Sequence, residues 1–196
     1  MQRGNLNKLV GPVIAGMVLA RCRCCSEPRA LEPHADLDEA SPAVLDLYRH
    51  DVDAPRTNHY SHWTPAGRRS LTTGEFFRRT CALADALAGL GVGPGDRVML
   101  LSDDRPEWHM VDLAVLDLHA VDVPVYGTLT PAQIAYQVKD SGAKVVVAEN
   151  PEQTGKFLSI RDGCPTLEHL IQIEGAREPG VLDFNELAAT ERGGSE

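Results

Sequence analysis

The chain has 196 residues with 43% hydrophobic and 24% charged side chains, the proportions of one globular domain rather than of a disordered segment. Its formal charge is −9, yet five of the 19 bases and one of the 28 acids fall in residues 1–30, so the remainder carries −13. A body that acidic repels a polyphosphate, which argues against nucleic acid as a partner and suits a dissolved cytoplasmic protein.

Residues 9–20 (L-V-G-P-V-I-A-G-M-V-L-A) form an apolar run between Lys8 and Arg21. The run is too short for a bilayer, which takes about twenty residues. It has the size of a signal-peptide core, but Arg21-Cys22-Arg23 is a poor site for a peptidase that wants small residues. A membrane-associated leader, an export signal and translation from an upstream start all stay open. Cys22, Cys24 and Cys25 lack a second ligand pair at zinc spacing, and with Cys81 and Cys164 the total is odd. Neither a metal centre nor a secreted disulfide scaffold is indicated. Residues 26–40, rich in Pro, Glu, Ala and Asp, read as a loose linker, which makes 1–40 an extension and 41–196 the folded part.

From residue 41 the signals become regular. Residues 42–50 suggest a short helix with Val44, Leu45 and Tyr48 on one side, and 60–71 a hairpin turning at Thr64-Pro65-Ala66-Gly67. Thr72 and Glu75 stand at capping-box spacing ahead of a helix striped by Phe76, Thr80, Leu83, Leu87 and Leu90, and Gly91 stops it. Gly93-Pro94-Gly95-Asp96 turns the chain into a strand over 97–101, and Pro106 fits the first position of a helix reaching about His119. A strand over 121–125 follows, then a helix opened by Thr130-Pro131-Ala132-Gln133 and ended by Gly142, then an apolar strand over 143–148. Asn150-Pro151-Glu152-Gln153 repeats the helix opening, 170–173 reads as a fourth strand and 183–189 as a closing helix. This alternation predicts an α/β fold: a partial parallel sheet of βαβ units, preceded by the short helix and the hairpin. The run V-V-V-A, without polar alternation, suits a strand covered on both faces.

Several isolated motifs carry no chemistry. Gly89, Gly91, Gly93 and Gly95 close a helix and precede a strand, the reverse of a dinucleotide loop, so they are turn glycines. Asp103-Asp104 resembles the Mg²⁺-binding acidic pair of a receiver domain, but the third strand ends in Ala148-Glu149-Asn150 without a phospho-accepting Asp. The pair reads better as acids capping the helix at Pro106. His50, His59 and His62 read as solvated surface histidines, and Ser102 and Ser141 lack a G-x-S-x-G context. Cys81 reads as a half-buried core residue. No residue is assigned a catalytic or metal-binding role.

Five segments say more: S-L-T-T-G-E-F-F, G-V-G-P-G-D-R-V-M-L-L, D-R-P-E-W, V-P-V-Y-G-T-L-T-P-A-Q-I-A-Y and D-S-G-A-K-V-V-V-A-E-N. In this order and spacing they resemble the opening of an AMP-forming acyl-CoA synthetase of the adenylate-forming superfamily, of the long-chain fatty acid ligase type. The resemblance covers about residues 41–189, which favours reading 1–40 as an unstructured extension. It implies a two-step reaction: a fatty acid carboxylate attacks ATP to give an acyl-adenylate, and the CoA thiol then displaces AMP. The first step needs a Ser/Thr/Gly-rich phosphate loop with a lysine, and Mg²⁺ to neutralise charge.

Such a loop, the ribose-binding Asp and the adenylation Lys are all missing between residues 150 and 196. The chain is therefore expected to be the N-terminal portion of a fatty acid–CoA ligase, inactive alone, with ATP, Mg²⁺ and CoA bound by the intact family. The alternative is a non-catalytic interaction module, or a split-enzyme half that needs a separately encoded C-terminal part. By the resemblance, Tyr126-Gly127-Thr128 lies near the CoA tunnel, where Gly127 would let the pantetheine arm approach backbone. Lys156 falls where relatives place a base near the CoA phosphates. A turn glycine and a solvated lysine are the plainer alternatives. The expected placement is cytoplasmic, with membrane association left open. The β-branched segments 121–125 and 145–147 are expected at uncovered edges or faces of an uncompleted sheet.

Overall fold

The computed structural model describes residues 55–64 and 67–189; the helix expected over 42–50 and the apolar run 9–20 lie outside them. The hairpin is formed by β1 (Tyr60–Thr64) and β2 (Gly67–Leu71), antiparallel with Thr64 opposite Gly67. Helix α1 (Thr73–Gly89) starts where Thr72 Oγ1 accepts the Glu75 amide at 3.1 Å. The predicted stripe is its inner face: Phe76, Thr80, Leu83 and Leu87 are all buried. The Thr80 hydroxyl donates to the Phe76 carbonyl at 2.9 Å, so this polar group enters the core without an unmet hydrogen bond.

The remaining elements alternate. They are β3 (Arg97–Leu101), α2 (Pro106–Asp117), β4 (Val121–Pro124), α3 (Pro131–Ser141), β5 (Val145–Ala148), α4 (Pro151–Leu158), β6 (His169–Gln172), β7 (Leu182–Asp183) and α5 (Phe184–Ala188). The strands form one parallel sheet in the order β4-β3-β5-β6-β7. Four of these five strands match the sequence reading within two residues at each end. Strand β7 was not foreseen, because two residues leave no periodicity to detect.

Side chains of a strand point alternately to opposite faces, and both faces here are apolar. Val98, Leu100, Val145 and Val147 enter a core under α1, α2 and α5. Met99, Leu101, Val146 and Ala148 enter a second core under α3 and α4, with Ile134, Val138 and Phe157. Each such fully buried aliphatic or aromatic side chain contributes about 1.5–3 kcal/mol of transfer free energy.

Four expectations are corrected. Strand β5 is buried along its whole length between β3 and β6, so of the two segments 145–147 is interior and 121–125 alone supplies an edge strand, β4, with Val121 48% exposed. Neither Asp103 nor Asp104 caps α2: Arg105 holds the cap position without a side-chain bond, and Asp104 instead meets His109 at 3.1 Å. Helix α2 ends at Asp117, within two residues of the expected end, and His119 then turns the chain at φ +54. His59 is half-buried rather than solvated, with its ring 4.9 Å from Tyr60 and 5.2 Å from Phe76; Cys81 is buried.

Candidate functional site

Ligands of open α/β sheets bind beyond the carboxyl ends of the strands, where the chain reverses its direction of travel across the sheet. Here β4 follows β3 on one side and β5 then lies on the other, so the crevice falls between β3 and β5. The protein's own side chains bridge it. The Asp103 amide donates to Glu149 Oε2 at 2.8 Å. Arg105 Nη1 lies 3.6 Å from Glu149 Oε1, Nη2 lies 3.0 Å from Glu174 Oε2, and Nε lies 2.9 Å from Glu107 Oε2. Burial alone would lower the Arg105 pKa, but hydrogen bonds and charge from Glu174 and Glu107 outweigh it and leave it raised. Burial would likewise raise Glu107, yet the Arg105 guanidinium holds it below the ordinary carboxylate range. One cation thus ties together the loops after β3, β5 and β6.

A second locus lies at the end of β4. The Val125 amide donates to the Leu100 carbonyl at 2.8 Å, which carries the chain straight off β4. Tyr126, 81% exposed, then begins a turn closed by the Leu129 amide on the Tyr126 carbonyl. Within that turn Gly127 is half-buried and Thr128 is exposed. Lys156 Nζ, from the second turn of α4, donates to the Gly127 carbonyl. Of the three residues singled out in the sequence, Gly127 and Lys156 therefore meet across the end of the sheet. Thr128 stands beside them in the chain with its side chain in solvent.

One neighbour escaped the sequence reading. A Cβ at Gly127 would come 3.4 Å from Gln153 Nε2, so the Gln153 amide lies over the glycine backbone. The opening Asn150-Pro151-Glu152-Gln153 suggested that Gln153 would cap its helix, as Gln133 does in α3, where Oε1 accepts the Thr130 amide at 2.9 Å. In α4 only the Asn150 side chain caps, accepting the Gln153 amide at 3.1 Å. The three-residue spacing from Gln153 to Lys156, which places both on one helix face, was the available signal.

Elsewhere, Asp122 of β4 and Asp112 of α2 are hydrogen-bonded to each other. Burial first, and then the Asp112 charge, push the Asp122 carboxyl up to about 7. Asp112 is also raised, by burial, against the attraction of His109. A cavity lined by Pro151, Thr154, Gly155, Leu158, Gln172 and Pro179 opens on the face of α4 away from Gly127. Among the described residues no three His, Cys, Asp or Glu side chains converge as metal ligands, and no helix is long and apolar enough to cross a membrane.

Comparison with known proteins bears on this geometry. The model of the AMP-binding enzyme family matches residues 49–194. The chain belongs to that family. It is 32% identical over 137 residues to the long-chain-fatty-acid–CoA ligase FadD15 of Mycobacterium bovis, covering 70% of this chain and 23% of the ligase. The uncharacterized protein Rv1549 of Mycobacterium tuberculosis is 31% identical over 114 residues, with 58% of this chain and 62% of that protein covered. Among solved structures, the anthranilate CoA ligase AuaEII in complex with anthranoyl-AMP superposes with a TM-score of 0.63 at 29% identity, over 74% of this chain and 26% of that one. The chain thus spans about a quarter of the length of the ligases it matches. The same solved structures bear out the α/β reading with its parallel sheet.

Proposed function

We propose that this chain is the N-terminal part of an AMP-forming fatty acid–CoA ligase, and that its share in the chemistry is to receive the CoA arm beside Gly127, Thr128 and Lys156. The observation that carries the reading is the hydrogen bond from Lys156 to the Gly127 carbonyl, which joins residues 29 apart into one locus. An ammonium is a strong partner for a phosphate group, the exposed Thr128 hydroxyl can donate or accept, and Gly127 leaves its backbone without a Cβ. CoA, when bound, supplies the thiol that takes the acyl group. The chain's own residues hold and orient it.

Adenylation is not assigned to this chain. Its sequence has no Ser/Thr/Gly-rich segment with a lysine after β5 to cradle ATP phosphates, so ATP and Mg²⁺ belong to the intact ligase. Calorimetric titration with CoA tests the binding role: Lys156→Met is expected to weaken binding about tenfold. Wild-type affinity in that variant would refute it. ATP–pyrophosphate exchange with fatty acids tests the inactivity, and robust exchange by residues 1–196 alone would overturn it.

The open edge of β4 favours a second reading, a split-enzyme half that docks a separately encoded C-terminal part. Co-expression with such a part should restore exchange. Failure to co-purify would count against it.

A further inference from the structure

We propose that Gln153 is a specificity-determining residue of the site at Gly127, accepting a hydrogen bond from an amide N–H of the ligand's arm. The inference rests on the CoA reading above and adds a residue that the resemblance does not supply. Gln153 stands at the third position of α4, where its counterpart in α3 turns back to cap the helix. Its side chain does not cap; it lies over Gly127, with Nε2 3.4 Å and Oε1 3.9 Å from where a Cβ would stand. Gln153 Oε1 is buried and accepts no hydrogen bond, although the backbone amide of the same residue is bonded to Asn150.

A buried acceptor without a donor costs about 1–3 kcal/mol, so a side chain that forgoes an available cap to occupy such a position calls for a donor to complete it. The chemistry of the face narrows that donor. Lys156, one turn along, offers a positive charge to a phosphate, while Gln153 offers a neutral acceptor. A ligand with an anionic end and an amide-bearing arm satisfies both: phosphate toward Lys156, amide N–H toward Gln153. A nucleotide without an amide arm satisfies Lys156 alone.

The test uses the full 196-residue chain and two probes, CoA and adenosine 3′,5′-bisphosphate, which keeps phosphates but has no amide arm. Gln153→Leu is expected to weaken CoA about tenfold, the worth of one well-placed hydrogen bond, and to leave the bisphosphate unchanged. Lys156→Met is expected to weaken both. Gln153→Met serves as a second variant of similar length, and melting temperatures verify that each variant is folded. Equal CoA affinity in wild type and Gln153→Leu, or equal losses for both probes, would overturn the role of Gln153 while leaving the CoA reading standing. Failure of the wild-type chain to bind either probe would overturn the CoA reading itself, and this inference with it.

Discussion

Replacing Asp122 by Asn tests the electrostatics of the β4 edge. Asp122 faces Asp112 of α2 in a half-buried position, and its carboxyl is raised from 3.8 to about 7 by burial and by the Asp112 charge. Two carboxyl groups hydrogen-bonded to each other share a proton. The folded chain therefore holds that proton up to about pH 7, whereas the unfolded chain releases it at about pH 4. Between those values the folded state binds more protons, so stability falls as pH rises through the window and levels off above it. A difference of about three pH units at about 1.36 kcal/mol each gives about 4 kcal/mol, and solvent screening at a half-buried edge reduces this to about 2 kcal/mol. Asn keeps the shape and the hydrogen bond to Asp112 but cannot ionise. Asp122→Asn should equal wild type near about pH 4.5 and exceed it by about 2 kcal/mol at about pH 8, or about 6 °C in melting temperature. Urea denaturation across that range measures the difference. A constant difference at every pH, or a variant less stable at the alkaline end, would refute the shared-proton argument.

Arg105→Leu strands Glu107 in the core, since Arg105 holds it at 2.9 Å; the expected loss is about 3 kcal/mol in chemical denaturation near neutral pH, and a loss under about 1 kcal/mol would contradict it. Because Glu107 is depressed, the stability it lends is present above the ordinary carboxylate range and disappears as pH falls through its folded pKa. Gly142→Ala should cost about 2 kcal/mol, because Gly142 sits at φ +65 and a Cβ would approach Arg97 Nη2 to 2.7 Å. Gly155→Ala, inside α4 with nothing within 4 Å of the added carbon, should instead gain about 0.5–1 kcal/mol, and thermal melts that rank the two the other way would sink the backbone argument. The open β4 edge predicts association and binding of a hydrophobic dye; a dye-negative monomer with a sharp two-state melt would mark a self-sufficient domain.

The fold was legible where local chemistry and tertiary demand agree. Thr130-Pro131-Ala132-Gln133 makes the reciprocal cap that its letters suggest, and Gly142 takes the left-handed conformation that ends the helix. Alternate residues of 97–101 and 145–148 serve two cores, which is why these strands read as unbroken apolar runs. What was illegible depends on which strands are neighbours. From sequence, 121–125 and 145–147 look alike, both β-branched and low in charge. Only the order β4-β3-β5 makes the first an edge and the second an interior strand. Asp122 was equally silent, since a lone Asp in a strand pattern acquires meaning only when Asp112 of the preceding helix is packed upon it. Gly127 and Lys156 were singled out only by the family resemblance, and the structure brings the two together, whereas the position of Gln153 depends on a side chain that declines its usual local partner.

Two cations at the carboxyl ends of the sheet, Arg105 and Lys156, stand in different electrostatic surroundings. The crevice between β3 and β5, the usual place for a ligand in this topology, presents Arg105 already set against Glu107, Glu149 and Glu174. An incoming anion gains little from a guanidinium so balanced and meets three carboxylates around it. Lys156 is placed differently. It is bonded to a neutral carbonyl, and among the described residues it has no carboxylate within ion-pair distance. Exchanging that carbonyl for a phosphate replaces a charge–dipole contact with a charge–charge one, a stronger interaction at the same distance. On the CoA reading proposed above, an anionic ligand would gain more at Lys156, beside the turn after β4, than in the acidic crevice between β3 and β5.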